Sequence, residues 1–388
     1  MTPLPEPSAD ARAHSERVAA HIRGEIAAAA GGWIGFARFM ELALYAPGLG
    51  YYMAGARKLG AEGDFTTAPE LAPLYGHTLA RAAAAALVAP DDEILEIGAG
   101  TGALAASLLE ELERLGRLPR RYLIVELSPE LRARSRDTLA ARVPHLMERV
   151  AWLNGLPPAV SGFVIGNEVL DAMPVHVVRA NAGEDTGSIE EAGVALGASG
   201  AFEWAYRPAA GETARLARAL ALPDGYTTEI GLVASAFVAS LARTIERGVA
   251  LFIDYGFPRR EYYHPQRNRG TLMCHYRHRA HDDPFFLPGL QDITAHVDFT
   301  AIAEAARAAG ADVLGYATQA QLLVNCGLTE VMSRVPAADA KRYLPLAAAA
   351  NKLTSPSEMG ELFKAIAFGR GVADDLAAFR SGDRRHTL

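Results

Sequence analysis

The chain has 388 residues, 50% of them hydrophobic, which is enough to bury a substantial core and excludes an intrinsically disordered protein. A formal net charge of -7 with no Lys/Arg-dense stripe argues against a general electrostatic grip on nucleic acid. The two cysteines, Cys274 and Cys326, lie far apart with no C-x-x-C, which fits a reducing compartment and supplies no Cys-based zinc site. The start of the chain lacks an apolar h-region, and no run of about 18 apolar residues occurs anywhere. A soluble, cytoplasmic protein without membrane insertion is the expectation.

In chain order, the proline-rich first ten residues read as a loose tail. Helical patterns follow over residues 11–30 and 34–44. An aromatic and glycine-rich turn spans Tyr45 to Tyr52, and a further helix is expected over 71–87. Residues 1–90 are read together as an N-terminal helical cap, and 91–388 as the core. In the core, strands expected at 93–97, 121–126, 149–154, 162–166 and 248–254 alternate with helices in the manner of a doubly wound α/β sheet. Alternating apolar residues broken by glycines suggest a β-rich insertion over about 175–208. A long substrate-side loop is expected over about 257–290, followed by helix, strand and C-terminal helices.

The run Ile94-Leu95-Glu96-Ile97-Gly98-Ala99-Gly100-Thr101-Gly102 is a buried strand entering a glycine turn, with the helical segment 103–115 behind it. Such a turn lets the backbone approach a nucleotide. Gly98-x-Gly100-x-x-Ala103 satisfies a dinucleotide fingerprint, and the strand at 122–125 ends in Glu126 at a distance suited to a ribose. Glu96 is the discriminator. A carboxylate beside the turn repels a pyrophosphate and attracts the sulfonium and amino group of S-adenosyl-L-methionine. The methyl donor is therefore preferred, with a dinucleotide-dependent oxidoreductase and an ordinary glycine turn as the alternatives. The expected donor set is Glu96, Gly98, Gly100, Gly102, Glu126, Leu127 and Asn167, with Asp64 and Thr66 from Gly63-Asp64-Phe65-Thr66-Thr67. That last segment reads equally well as a helix N-cap.

Ligands of open α/β sheets bind beyond the carboxyl ends of the strands, where Asn167, Glu168, Asp171 and Asp254 also fall. Glu168 and Asp171 are three apart, so a helical turn would put both on one face; the plain alternative is acids at a helix N-terminus. Asp292, Thr294, His296 and Asp298 alternate, so an extended chain would point them one way. One histidine with two aspartates is weak evidence for a metal, and none is expected.

Seven segments together resemble the MidA family, the group that includes the mitochondrial complex I assembly arginine methyltransferase. They are Ala43 to Tyr52, Gly63 to Glu70, Glu96 to Gly102, Gly166 to Val175, Phe252 to Gly256, Gly289 to Phe299 and Met359 to Phe368. The resemblance implies a class I methyltransferase, a Rossmann-like fold with a mostly parallel seven-stranded sheet, an N-terminal helical cap and insertions. It implies S-adenosyl-L-methionine as cofactor and an arginine on a protein partner, such as a respiratory complex subunit, as acceptor. Glu168 and Asp171 would grip the guanidinium, Asn167 would orient it, and Asp254 and His296 are secondary catalytic candidates. A non-catalytic assembly factor with a retained donor pocket is the alternative, and a homodimer is left open.

Overall fold

A computed structural model describes residues 4–54, 67–181 and 188–388. The chain divides into two compact units, each made of three separate stretches: Thr66–Val169, Phe237–Gly256 and Phe299–Leu388 in one, Met1–Phe65, Leu170–Ala236 and Phe257–Asp298 in the other. A cut at residue 90 does not follow this division. Helix α1 (Leu74–Ala86) belongs with the strands that come after it, because its Leu79 and Ala83 share a core with Leu104, Leu108 and Phe163.

The first unit is built on β1 (Glu93–Ile97), β2 (Tyr122–Val125), β3 (Val150–Leu153), β4 (Val160–Asn167), β5 (Ile245–Phe257), β6 (Asp312–Thr318) and β7 (Phe363–Arg370). Their order across the sheet is β6-β7-β5-β4-β1-β2-β3. Neighbours from β3 to β5 run parallel, while β7 is antiparallel to both β5 and β6, so the sheet is mixed. β7 corrects the sequence reading, which placed only helices toward the C-terminus. Phe363 to Gly369 is buried at every position, Lys364 included, and a short run apolar at nearly every position carries no period that separates helix from strand.

β1 lies between β2 and β4, so the winding direction of the chain reverses at this strand. That is the switch point where the crevice of an open α/β sheet forms. Helix α2 (Ala103–Arg114) leaves β1 through the glycine turn, and α3 (Pro129–Arg142) leaves β2 with Ser128 as its N-cap, whose side chain accepts from the Leu131 N–H. The register pairs Ile97 of β1 with Gly166 of β4, which brings the glycine turn and Asn167-Glu168 to the same edge.

The second unit holds an antiparallel sheet in which Trp33–Gly35, Ile189–Leu196, His176–Ala180 and Thr227–Ile230 follow one another, with Phe202–Pro208 also paired to Ile189–Leu196. Trp33–Gly35 is a strand where the sequence suggested the start of a helix, which instead spans Phe36–Tyr45. The stretch expected to be a long loop contains a hairpin, Met273–Tyr276 with Arg279–His281, and Asp292–Thr294 pairs with its first strand. Among the described residues no helix is long and apolar enough to cross a membrane.

Candidate active site

All five residues of β1 are buried, including Glu96 at 2% exposure. Glu96 sits opposite Ile124 in the parallel register, so Tyr122, two residues earlier on β2, shares its face and donates a 2.7 Å hydrogen bond to Glu96 Oε2. Burial lifts the Glu96 carboxyl from 4.5 to about 7, against the opposing pull of the Tyr122 hydroxyl. Glu96 is thus not the standing negative charge that the sequence reading assumed. Near neutrality it holds a proton much of the time, and a cation beside it would drive that proton off.

The glycine turn is left-handed at each glycine, with φ of 68° at Gly98, 54° at Gly100 and 82° at Gly102. A Cβ on Gly102 would stand 2.8 Å from Ser135 Cα, so only glycine lets α2 and α3 approach this closely. Glu126, buried at the end of β2, accepts from the Gly100 N–H at 3.1 Å and the Ser128 N–H at 2.9 Å. Burial raises its carboxyl above the ordinary range, and those amides pull it back. The Thr101 hydroxyl donates to Glu70. Leu127, next to Glu126, is 59% exposed.

These contacts decide which nucleotide fits. A pyrophosphate needs free backbone donors at the turn and is repelled by ionised carboxylates beside it. Here the Gly100 amide and the Thr101 hydroxyl already serve carboxylates, and Glu96 stands behind them. A cationic donor with a ribose diol suits this set. Asp64 and Thr66, the other expected donor residues, lie outside the described residues.

Asn167 ends β4 beside this turn, and Glu168 follows it. The Asn167 amide nitrogen donates to Glu168 Oε1 at 2.9 Å, and the Ala68 N–H reaches the same oxygen at 3.4 Å. Tyr75 on α1 donates to Asn167 Oδ1 at 2.5 Å. The helical turn expected over 168–171 is absent. Glu168 is left-handed at φ 53°, its N–H donates to the Ile253 carbonyl at 2.9 Å, and the Val169 N–H donates to Asp254 Oδ2 at 3.1 Å. Asp254 also accepts from the Tyr255 N–H, so this buried carboxylate anchors the turn that carries Glu168. A Cβ on Gly98 would come to 3.1 Å from Val169 Cγ2, which shows how closely the two turns pack.

Asp171 and His296 belong to the second unit. Asp171 is buried and its carbonyl accepts from the Ala295 N–H, while the His296 ring lies 5.4 Å from Phe257. Asp292 accepts from the Tyr52 hydroxyl at 2.9 Å and Asp298 pairs with Arg259 at 3.5 Å. The strand carrying the four alternating residues breaks after Thr294, so they do not form one row. No metal-binding cluster of three or more His, Cys, Asp or Glu occurs among the described residues. Tyr75, Tyr122, Glu70 and Thr101 were not singled out as site residues from sequence. Tyr122 alone leaves a signal there, as a polar residue heading a buried strand.

Residues 78–317 match a family of S-adenosyl-L-methionine-dependent methyltransferases. The chain is 28% identical to the protein arginine methyltransferase NDUFAF7 homolog of Drosophila melanogaster, covering 95% of this chain and 88% of that one. It is 26% identical to protein arginine methyltransferase NDUFAF7 of Danio rerio, over 89% and 85%. The solved structure of a COG1565 superfamily member from Burkholderia thailandensis, bound to S-adenosyl-homocysteine, superposes with a TM-score of 0.95 at 54% identity, covering 100% of both chains. With the donor-compatible turn, these similarities establish that the chain belongs to the MidA family of S-adenosyl-L-methionine-dependent methyltransferases.

Proposed function

We propose that this protein is a class I methyltransferase that methylates an arginine side chain of a protein. The observation that carries the reading is the carboxylate of Glu168, held by Asn167 on the turn that packs against Gly98. Bound S-adenosyl-L-methionine supplies a methyl group activated by a sulfonium. Glu126 accepts the ribose hydroxyls, and Glu96, once ionised, faces the positive charge of the methionine portion.

A guanidinium is a poor nucleophile because its charge is delocalised. A carboxylate hydrogen-bonded to two of its N–H groups concentrates positive charge on their side and leaves the third nitrogen richer in electrons. Glu168 is placed to do this. As the N–C bond forms, the methyl–sulfur bond breaks with its electron pair going to sulfur, S-adenosylhomocysteine leaves, and Glu168 accepts one proton from the guanidinium N–H groups it holds. The names of the relatives favour arginine, and the resemblance makes a respiratory complex subunit the first acceptor to test.

The test separates donor from acceptor. Glu126→Ala abolishes S-adenosylhomocysteine binding in calorimetry, whereas Glu168→Gln binds it with wild-type affinity and transfers no labelled methyl. Mass spectrometry for methylarginine, comparing a gene-deleted strain with its parent, identifies the residue modified. Donor binding at wild-type affinity by Glu126→Ala, or full transfer by Glu168→Gln, would overturn the assignment.

A further inference from the structure

Resting on the reading above, we propose that Tyr75 is a positioning residue that fixes the side chain of Asn167 and, through it, the carboxylate of Glu168. The main chain at Glu168 does not need it, since Ile253 and Asp254 already hold the Glu168 and Val169 amides. Those bonds do not set which way the Asn167 carboxamide faces. The Tyr75 hydroxyl sets it by donating to Asn167 Oδ1, which turns the Asn167 NH₂ toward Glu168 Oε1.

A carboxamide offers an acceptor on one side and donors on the other. Flipped by half a turn, Asn167 would present its oxygen to the Glu168 carboxylate, and the two would repel. A hydroxyl that must donate at Oδ1 selects the productive orientation. Tyr75 is fully buried, and burial together with the nearby Glu168 and Asp254 charges raises its phenol well above the usual 10, so it remains a protonated donor. Its place near the start of α1 fits this role. The adjoining segment supplies Ala68 to the same Glu168 oxygen and Glu70 to Thr101, so one short stretch clasps both the acceptor carboxylate and the donor turn.

The test uses the full chain with Tyr75→Phe, which keeps the packed ring and removes only the hydroxyl. In protein labelled with ¹⁵N-asparagine, the side-chain amide protons of Asn167 are identified by their loss in Asn167→Ala. Tyr75→Phe shifts these signals and speeds their exchange with solvent. It binds S-adenosylhomocysteine within twofold of wild type, yet lowers kcat for transfer of labelled methyl to the protein fraction of a gene-deleted extract at least tenfold, with the donor KM unchanged. Tyr122→Phe serves as the contrast, weakening donor binding while leaving the Asn167 signals in place. Unmoved Asn167 signals in Tyr75→Phe, or transfer at the wild-type rate, overturn the proposal. If the wild-type protein itself transfers nothing, the methyltransferase reading of the acceptor fails separately, and the Asn167 signals alone decide the positioning role.

Discussion

Replacing Glu96 by glutamine tests whether a single buried proton governs donor binding. Burial raises this carboxyl from 4.5 to about 7. Between those values the folded chain keeps a proton that the unfolded chain has released, so stability falls as pH climbs through the window. At about 1.36 kcal/mol per pKa unit the loss sums to ~3 kcal/mol. A cationic donor prefers the ionised form and must expel the proton when it binds below neutrality. Affinity for S-adenosyl-L-methionine at about pH 6 is then roughly tenfold weaker than at about pH 8, or ~1.4 kcal/mol. Calorimetry in two buffers of different ionisation enthalpy reads the released proton directly. Glu96→Gln binds the donor more weakly at every pH, loses the Glu96 share of the slope, and melts higher than wild type above neutrality. Any slope left in the variant belongs to Glu126, whose carboxyl burial also raises. The same slope in both proteins, or no proton released by wild type, would refute the reasoning.

Two further substitutions probe the frame of the site. Gly102→Ala combines a left-handed φ of 82° with a backbone contact at 2.8 Å, and is expected to cost on the order of 2–4 kcal/mol. Scanning calorimetry checks this as a fall of several degrees in Tm, and an unchanged Tm would show that the helices yield. Glu111 on α2 is gripped by Arg334 at 2.7 and 2.8 Å and by Arg114, which hold its carboxyl down at about 2 despite burial. A carboxyl lowered in the folded state stabilises fully above its ordinary value and loses that contribution as pH falls through the folded one. Arg334→Ala therefore lowers Tm at neutral pH, and the gap to wild type narrows as pH drops from 4.5 toward 2.

The first four strands of the sheet were legible because each is a short apolar run with turn residues around it, and β1 runs straight into glycines that mark a close approach. β7 was not, since Phe-Lys-Ala-Ile-Ala-Phe-Gly, apolar but for Lys364, shows no alternation and fits a buried helix as well. Trp33–Gly35 is too short to announce itself and exists as a strand only through its pairing with Ala195, Val194 and Gly193. Glu96 and Glu126 stand out in the sequence because they sit at strand ends. The contacts of Tyr122 with Glu96 and of Tyr75 with Asn167 arise from sheet register and helix packing, which sequence spacing does not encode. The spacing of Glu168 and Asp171 misled for a related reason. It presumes a helix, and the amides there are claimed instead by Ile253 and Asp254, which lie far along the chain.

β7 is the last strand of its sheet in chain order, yet it lies inside the sheet, between β5 and β6. A nascent chain emerging from the ribosome can assemble β1 to β5, but β5 then has an open edge until Phe363–Arg370 has been made. Exposed edges of this kind recruit other strands, including those of neighbouring chains. Until β7 is made, the β5 edge that it covers is the place where mispairing can begin. A chain interrupted before Phe363 would lose an internal strand rather than a dispensable tail.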